Sequence, residues 1–287
     1  IIAHNWALDA IQVLLFSSGT TGPVKVVPIS TRQLIFSSTA SALRLGHLPS
    51  DHWLACLPFE HMGGLAMIIR TALYGTCLVI HVPFSPDAIN HILDHDAINQ
   101  VSLVPTMLSR LLDARGDRPF HPRLRCILVG GAASSPQLIE RCKAIGAPIA
   151  LTWGMSETAS QVATSPPGRP SPLGSVGPPL PFVTVSVVNG KLTVDGPIAP
   201  RASFVTQDIG AIDEEGWVQM TARADDVINT GGKLVVPDPI EECLRKHPAV
   251  DDVAIVGLAD EDWGQRVVAC VVSSDESLTS TQLRQWC

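Results

Sequence analysis

The sequence has few charged residues and no long apolar run, and each shortage excludes a class of protein. Charged residues make up 16% of the 287 residues and hydrophobic residues 46%, which excludes a disordered chain. No apolar run approaches the ~18 residues that a membrane-spanning helix needs. Positive charge is also scarce, since 20 Lys and Arg face 27 Asp and Glu for a net charge of -7. This balance argues against nucleic acid or an anionic membrane as a partner, but not against small anionic ligands.

The cysteines lack the spacing of a disulfide framework or a zinc site. There are seven, an odd number, and no two of them form a C-x-x-C pair. Scattered, unpaired cysteines are typical of reduced thiols. We therefore expect a cytoplasmic protein.

Short apolar runs alternate with amphipathic stretches over the first half of the chain. This alternation predicts an α/β fold in which helices cover both faces of a sheet. The predicted strands lie at 11–16, 24–29, 53–57, 77–82, 101–104 and 126–129, the first of them buried. The predicted helices lie at 31–45, 64–73, 86–94, 105–112 and 135–145, with Ser30 or Thr31 as the cap of the first.

The pattern changes after Thr164. Residues 165–181 are rich in proline and glycine and predict a loop. Short strands at 183–188, 191–194 and 217–221 predict a β-rich region, with Asn189 and Gly190 in a tight hairpin turn. A helix at 239–246 and strands at 250–256 and 267–272 predict a small α+β domain. We therefore expect two domains, 1–222 and 223–287.

The first segment with chemical character is residues 17–25, which read SSGTTGPVK. Consecutive backbone amides and hydroxyls between glycines form a concavity that binds anions. The spacing differs from a Walker loop, and a strand rather than a helix follows Lys25. The segment predicts a phosphate-binding loop, and the alternative is an ordinary hairpin turn.

Three further segments carry polar groups beside glycines or aromatics. In residues 151–158, Glu157 could hold Mg²⁺ and Trp153 could offer a flat surface to a base; the alternative is a surface glutamate. Asp208 could bind ribose hydroxyls and Arg223 sugar or phosphate; the alternative is a solvated turn and a linker. His61 precedes two glycines and an apolar helix, and its alternative is a histidine packed in the core.

The hydroxyl-rich loop at 17–25, the segment at 151–158, the Asp208 motif and the Arg-x-Asp-Asp string at 223–226 follow one another along the chain, and in this order they resemble the acyl-adenylate-forming superfamily of acyl-CoA ligases, luciferases and adenylation domains. The resemblance runs from about Leu14 to the end of the chain. It implies a large N-terminal domain with helix-covered sheets and a β-rich region, followed by a small mobile α+β C-terminal domain. Asp225 would be the hinge between them.

The resemblance also implies roles for individual residues. Thr21, Lys25, His61 and Glu157 would act in catalysis, with Glu157 as the ligand of Mg²⁺. The residues that would bind ATP are Ser17, Ser18, Gly19, Thr20, Thr21, Gly22, Lys25, Gly130, Gly131, Ala132, Trp153, Gly154, Ser156, Asp208 and Arg223. His61 would border the acyl pocket, and by position Arg70, Ser102 and Thr106 would help form it.

Within the superfamily, residues 53–75, 84–93, 101–113 and 151–162 most resemble the o-succinylbenzoate–CoA ligases of menaquinone synthesis. This resemblance implies ATP, Mg²⁺ and coenzyme A as cofactor and cosubstrates. It leaves two alternatives open: a CoA ligase for another aryl or medium-chain acid, and a catalytically degenerate nucleotide-binding homologue. A homo-oligomer is also left open.

The chain departs from the superfamily pattern at several points. Val24 stands before Lys25 where the family usually has proline, and only 16 residues precede the loop where family members have over a hundred. The lysine that the family carries near its C-terminus has no counterpart, and the segment at 199–204 is short. We therefore expect that the start of the N-terminal domain and part of the lid domain are missing from this sequence.

Overall fold

The computed structural model describes residues 7–17, 25–169, 171, 172 and 174–287, with the backbone alone for Ser17. The strands are β1 (Ile11–Ser17), β2 (Lys25–Ser30), β3 (His52–Ala55), β4 (Cys77–Ile80), β5 (Gln100–Leu103), β6 (Cys126–Val129), β7 (Ile149–Met155), β8 (Ser160–Thr164), β9 (Ser175–Gly177), β10 (Thr184–Val188), β11 (Lys191–Asp195), β12 (Ser203–Ile212), β13 (Val218–Arg223), β14 (Ile228–Thr230), β15 (Lys233–Val235), β16 (Asp252–Asp260) and β17 (Gly264–Val272). The helices are α1 (Thr31–Leu45), α2 (Met62–Tyr74), α3 (Pro86–His95), α4 (Pro105–Arg115), α5 (Pro136–Ala144), α6 (Pro237–Arg245) and α7 (Ser280–Trp286). Among the described residues, no helix has both the length and the apolar character needed to cross a membrane.

A six-stranded sheet forms the centre of the N-terminal part, in the order β4-β3-β5-β6-β7-β8. The first five strands are parallel, and β8 is antiparallel to β7. Side chains alternate between the two faces, as the pleat requires. Leu54 and Ile127 pack in the cluster that contains α3, α4 and α5, whereas Trp53 and Cys126 pack with Met67 of α2. Helices thus cover both faces, which confirms the predicted α/β class.

The direction of the chain across this sheet reverses between β3 and β5. The connection from β3 through α2 leads outward to β4, and the next connection through α3 returns to β5 on the other side of β3. Helices α2 and α4 pack on opposite faces of the sheet, and β3 and β5 are the neighbouring strands at which the strand order reverses. Ligands of open α/β sheets bind at such a switch point.

The first two strands form a two-stranded antiparallel hairpin rather than part of the large sheet. The prediction that β1 is buried was wrong. Leu15 packs with Val27 of β2 and Met62 of α2, but Leu14 and Phe16 on the other face are 57% and 66% exposed. In a hairpin strand of period two, only one face meets the core.

The region after β8 contains a five-stranded sheet in the order β10-β11-β12-β13-β9. Asn189 and Gly190, both at positive φ, join β10 to β11 as predicted. The expected loop after β8 was wrong in part. Residues 165–181 are not loop throughout, because β9 pairs with β13. Asp208 lies within β12, and the alternative of a solvated turn is therefore excluded.

A second compact unit contains Gln207–Gly210 and Thr221–Cys287, while the first contains the chain up to Thr206 together with Ala211–Met220. The second unit has a four-stranded antiparallel sheet, β15-β14-β17-β16. Helix α6 packs on it through Leu244, which contacts Ile228 and Val253. The sequence analysis did not predict the strands β14 and β15 or the helix α7.

Candidate active site

Four of the predicted site residues follow parallel strands of the central sheet at its carboxyl edge. His61 follows β3, Thr106 follows β5, Gly130 follows β6 and Glu157 follows β7. Paired strands place these ends side by side: Leu103 is opposite Val129, which is opposite Leu151. The fold therefore gathers at one edge residues that are almost a hundred positions apart in sequence.

Lys25 and Glu157 meet at this edge. The Lys25 ammonium lies 2.8 Å from Oε1 of Glu157, although the two residues are 132 positions apart. Lys25 is at the start of β2, and the hairpin is held against α2 and Ala159 by the cluster around Leu15 and Val27. The contact joins the end of the predicted phosphate loop to the predicted metal ligand.

The rest of the predicted phosphate loop is outside the residues that the structure describes. These residues are Ser18, Gly19, Thr20, Thr21, Gly22, Pro23 and Val24. Ser17 is described by its backbone alone, in register with Lys25. The roles of these residues stay predictions.

Glu157 lies in a tight turn between β7 and β8. Ser156–Thr158 form a single 3₁₀ turn, and Ala159 and Ser160 follow at φ 52° and 103°. Such positive φ values are strained for residues other than glycine and persist only where the surroundings fix them. Here Thr158 is buried, and its hydroxyl bonds to the carbonyls of Met155 and Ser160.

Helix α1 fixes the same turn from another side. The Gln33 amide donates to the Glu157 carbonyl at 2.7 Å, and the Ser37 hydroxyl donates to the Ala159 carbonyl at 2.6 Å. Both side chains are buried. The capping-box pattern of Ser30 and Gln33 is visible in the sequence, but the reach of Gln33 to Glu157 is not.

Packing within the chain leaves no room for a side chain at Gly154 or Gly130. A Cβ at Gly154 would lie 1.8 Å from the Ser160 carbonyl oxygen, and one at Gly130 would lie 2.6 Å from Cγ2 of Thr152. Gly131 and Ala132 are exposed beyond the end of β6. Ser156 is half-buried beside Glu157. Their contacts with adenine or phosphate stay predictions.

Trp153 is 7% exposed and packs in the cluster that contains Val162 and Val194. Its neighbours are thus core residues of β8 and the five-stranded sheet. Its predicted stacking on adenine stays a prediction.

The residues predicted to form the acyl pocket divide into an exposed pair and a buried pair. His61 is the N-cap residue of α2 and is exposed, which excludes the alternative of a packed core histidine. Thr106 is exposed in the first turn of α4. Arg70 and Ser102 are buried and are linked through Trp53. The Trp53 indole donates to Oγ of Ser102 at 3.1 Å, and the Arg70 guanidinium carbon lies 5.7 Å from its ring centre. Direct contact between Ser102 and an acid stays a prediction.

Arg70 is a buried cation, 2% exposed, with an incomplete set of partners among the described residues. Its Nη2 donates to Oγ of Ser160 at 3.1 Å, its Nε has no acceptor, and no described carboxylate forms a salt bridge with it. Burial lowers the pKa of Arg70, and the nearby Tyr74 and Cys126 partly offset that shift. A buried charge without a counter-ion is costly, so this site favours an anion.

Arg115 is a second buried arginine, and unlike Arg70 it has a carboxylate among its partners in the described part of the chain. It is 3% exposed, its Nη2 lies 2.6 Å from Oδ1 of Asp94, and its Nη1 donates to Asn90. Its Nε donates to the Arg118 carbonyl, and its Nη2 donates also to the Pro119 carbonyl. The difference from Arg70 is that each of the three Arg115 guanidinium nitrogens has a described acceptor, one of them a carboxylate.

Asp208 and Arg223 belong to the second unit and face each other. Nε of Arg223 lies 3.9 Å from Oδ1 of the buried Asp208, and its Nη2 lies 3.9 Å from Oδ2 of Asp225. The two predicted ribose-binding residues are therefore neighbours. Binding of ribose and the hinge at Asp225 stay predictions.

The described residues fit a magnesium ion that arrives with a nucleotide better than one held by protein alone. No group of three or more His, Cys, Asp or Glu side chains in the described part of the chain could hold a metal. Glu157 is partly exposed at the sheet edge and offers one carboxylate. Mg²⁺ typically takes one or two carboxylates and completes its shell with phosphate oxygens and water.

Comparison with known proteins agrees with this geometry. The family model described as AMP-binding enzyme matches residues 3–198, and the model for the C-terminal domain of AMP-binding enzymes matches 239–287. The chain is 33% identical over 312 residues to 2-succinylbenzoate–CoA ligase from Bacillus cereus, covering all of this chain and 65% of the relative. It is 33% identical over 303 residues to the enzyme of that name from Listeria monocytogenes, covering 64% of it.

Solved structures of o-succinylbenzoate CoA synthetase from Bacillus subtilis are similar as well. The complex with ATP and magnesium ion superposes with a TM-score of 0.89 at 31% identity, over 98% of this chain and 64% of that one. The complex with the acyl-adenylate intermediate gives 0.88 at 31% identity, over 98% and 63%. The chain thus spans about 65% of the length of the curated relatives it matches. With a family model matched over more than half of its residues, the chain belongs to the AMP-binding enzyme family.

Proposed function

We propose that the protein is an ATP-dependent acid–CoA ligase that acts through an acyl-adenylate. Its acid would be o-succinylbenzoate, and its products o-succinylbenzoyl-CoA, AMP and diphosphate, within menaquinone synthesis. The observation that carries the activity is the 2.8 Å contact of Lys25 with Glu157, which joins the two predicted halves of a magnesium–ATP site.

The first step activates the acid. A carboxylate is a poor acyl donor because its leaving group would be oxide. Its oxygen attacks the α-phosphorus of ATP, the bond to the bridging oxygen breaks, and diphosphate leaves with the electron pair. The product is a mixed anhydride of the acid and AMP.

Positioning and charge neutralisation dominate catalysis of such transfers. Lys25 would bind the outer phosphates together with the hydroxyls and amides of residues 17–22, among them Thr21. Glu157 would bind Mg²⁺, which when present neutralises phosphate charge. Glu157 must exchange its contact with Lys25 for the metal, and this exchange is feasible because the Lys25 side chain is 62% exposed.

In the second step the thiol of coenzyme A would attack the acyl carbon and release AMP. The two steps need different surroundings, which a mobile lid can supply. The second unit, with a hinge at Asp225, would be that lid. Its Asp208 and Arg223 would bind ribose.

The surroundings of Arg70 favour a substrate acid that carries a second carboxylate. Its guanidinium is buried near Trp53 and Ser160 and lacks a described carboxylate partner. An acid that carries one carboxylate for activation and another for Arg70 would satisfy it. The similar proteins named 2-succinylbenzoate–CoA ligase favour o-succinylbenzoate among such diacids.

A panel of carboxylic acids in a diphosphate-release assay with ATP, Mg²⁺ and coenzyme A tests the proposal. We expect o-succinylbenzoate to give the highest kcat/KM. A preference for an acid with one carboxylate would instead support the alternative ligase for another aryl or medium-chain acid. Binding of ATP without release of diphosphate for any acid would support the degenerate homologue.

The proposed location is the cytoplasm, where ATP and coenzyme A are available. All seven cysteines are free thiols in the structure.

A further inference from the structure

We infer that Gln33 is a positioning residue for Glu157. The inference rests on the proposed function, because it assigns Glu157 to the magnesium–ATP site. Gln33 follows the hairpin on α1 and makes no predicted contact with substrate. Its role would be to hold the backbone from which the Glu157 carboxylate extends.

The Gln33 amide is held in one orientation by its surroundings. Its Nε2 donates to the carbonyls of Glu157 at 2.7 Å and Ile198 at 2.9 Å, while its Oε1 accepts from the Ser30 backbone N–H at 3.0 Å. A flipped amide would place its oxygen against two carbonyl oxygens, so the network fixes the assignment. Because the side chain is buried, water cannot replace these bonds without cost.

Ser37 extends the contact by one helical turn. Residues four apart lie on the same face of a helix, and the Ser37 hydroxyl donates to the Ala159 carbonyl at 2.6 Å. The Glu157 carbonyl lies before the strained part of the turn and the Ala159 carbonyl lies within it, since Ala159 and Ser160 have positive φ. Helix α1 therefore holds a segment that would otherwise relax toward ordinary φ values.

Loss of the hydrogen bonds from α1 would displace the Glu157 carboxylate but would not remove it. Groups that orient a metal ligand typically contribute 10–100-fold in metal affinity or activity. A Gln33→Met variant keeps the length of the side chain and removes its donors. We expect it to raise the Mg²⁺ concentration for half-maximal diphosphate release by about 10-fold. We also expect faster hydrogen exchange in the peptide that covers residues 156–160.

Two control variants separate positioning from stability. Gln100→Met removes another buried amide, which donates to Oδ2 of Asp51 at 3.1 Å at the opposite end of the sheet. Ser30→Ala removes the hydroxyl that caps α1 and leaves both donated bonds of Gln33 in place. Both should lower stability without changing the Mg²⁺ dependence. If Gln33→Met does not fold, Ser37→Ala should show a smaller shift in the same direction.

The outcomes distinguish this inference from the proposed function. An unchanged Mg²⁺ dependence and unchanged exchange at 156–160 in Gln33→Met, or equal changes in Gln100→Met, would overturn the inference while the ligase remains. If the unmodified protein released no diphosphate with any acid, the proposed function would be wrong. Hydrogen exchange alone would then decide whether Gln33 holds the turn, and exchange no faster than in Gln100→Met would overturn that claim.

Discussion

Replacing Arg70 by methionine tests the assignment of a second carboxylate to the substrate. Methionine fills a similar volume without charge. If Arg70 binds the second carboxylate of o-succinylbenzoate, the variant must bury that carboxylate without a partner. The variant should keep its activity toward whichever one-carboxylate analogue retains the group that is activated.

The size of the effect follows from the burial of Arg70. Truncating one partner of a buried charge pair costs about 2–5 kcal/mol. A loss of ~3 kcal/mol corresponds to a roughly 100-fold lower kcat/KM, at about 1.4 kcal/mol per factor of ten. The unliganded protein should not lose stability, because Arg70 has an unpaired Nε and no described carboxylate partner. Replacing buried charge by an apolar group is often neutral or stabilising.

Arg115→Met is the matched control. It removes an equally buried arginine that has Asp94 and Asn90 as partners. This variant should lose about 3 kcal/mol of stability, since it leaves partly buried acceptors unpaired. Its preference for the diacid should not change.

The assay measures diphosphate release with o-succinylbenzoate and with each of its one-carboxylate analogues, beside thermal unfolding. Equal losses for the diacid and for the usable analogue in Arg70→Met would contradict the assignment of Arg70 to the second carboxylate. A large fall in the stability of Arg70→Met would contradict the claim that the charge of Arg70 has no partner in the described part of the unliganded protein.

Two further predictions concern packing and thiols. Gly154→Ala should destabilise the protein by about 1–3 kcal/mol, because the added Cβ would overlap the Ser160 carbonyl oxygen. Gly63→Ala is the control and should change stability little, because a Cβ there would lie 3.4 Å from the Leu57 side chain. Chemical denaturation measures both variants, and equal losses of stability would contradict the close approach of Gly154 to Ser160. Burial raises the pKa of Cys56 and Cys126 to about 12 and that of Cys142 to about 11, which suppresses the reactive thiolate at pH 8. The exposed cysteines are Cys77, Cys270 and Cys287. A thiol reagent at pH 8 should therefore label these three first, as detected by mass spectrometry. Rapid labelling of Cys126 in the native protein would contradict its burial in the core.

Local signals in the sequence predicted much of the fold. Helix α1 begins after Ser30 and ends at Leu45 as expected, because a capping box and a following glycine mark both ends. Strand β6 also has its predicted bounds. The burial of β1 could not be predicted, since an apolar run does not reveal whether one face or two will be covered.

The sequence predicted the segments that form the candidate site better than it predicted the contacts between them. Lys25 meets Glu157 because the hairpin packs against α2 and Ala159, and no local sequence pattern encodes that packing. The environment of Arg70 also depends on Trp53 and Ser160, which lie on different elements. Gln33 had a visible capping signal, but its two acceptors lie 124 and 165 positions away.

The most direct test of the account compares Glu157→Gln with Glu140→Gln in acid-dependent release of diphosphate at varied Mg²⁺. Glu140 forms a similar 2.6 Å ion pair with Lys143 on the exposed side of α5, so its variant controls for the loss of a surface charge pair. We predict that Glu157→Gln retains its fold, judged by thermal unfolding, and loses diphosphate release, whereas Glu140→Gln keeps both. Diphosphate release by Glu157→Gln at the rate of the unmodified protein would contradict the assignment of Glu157 to the magnesium–ATP site.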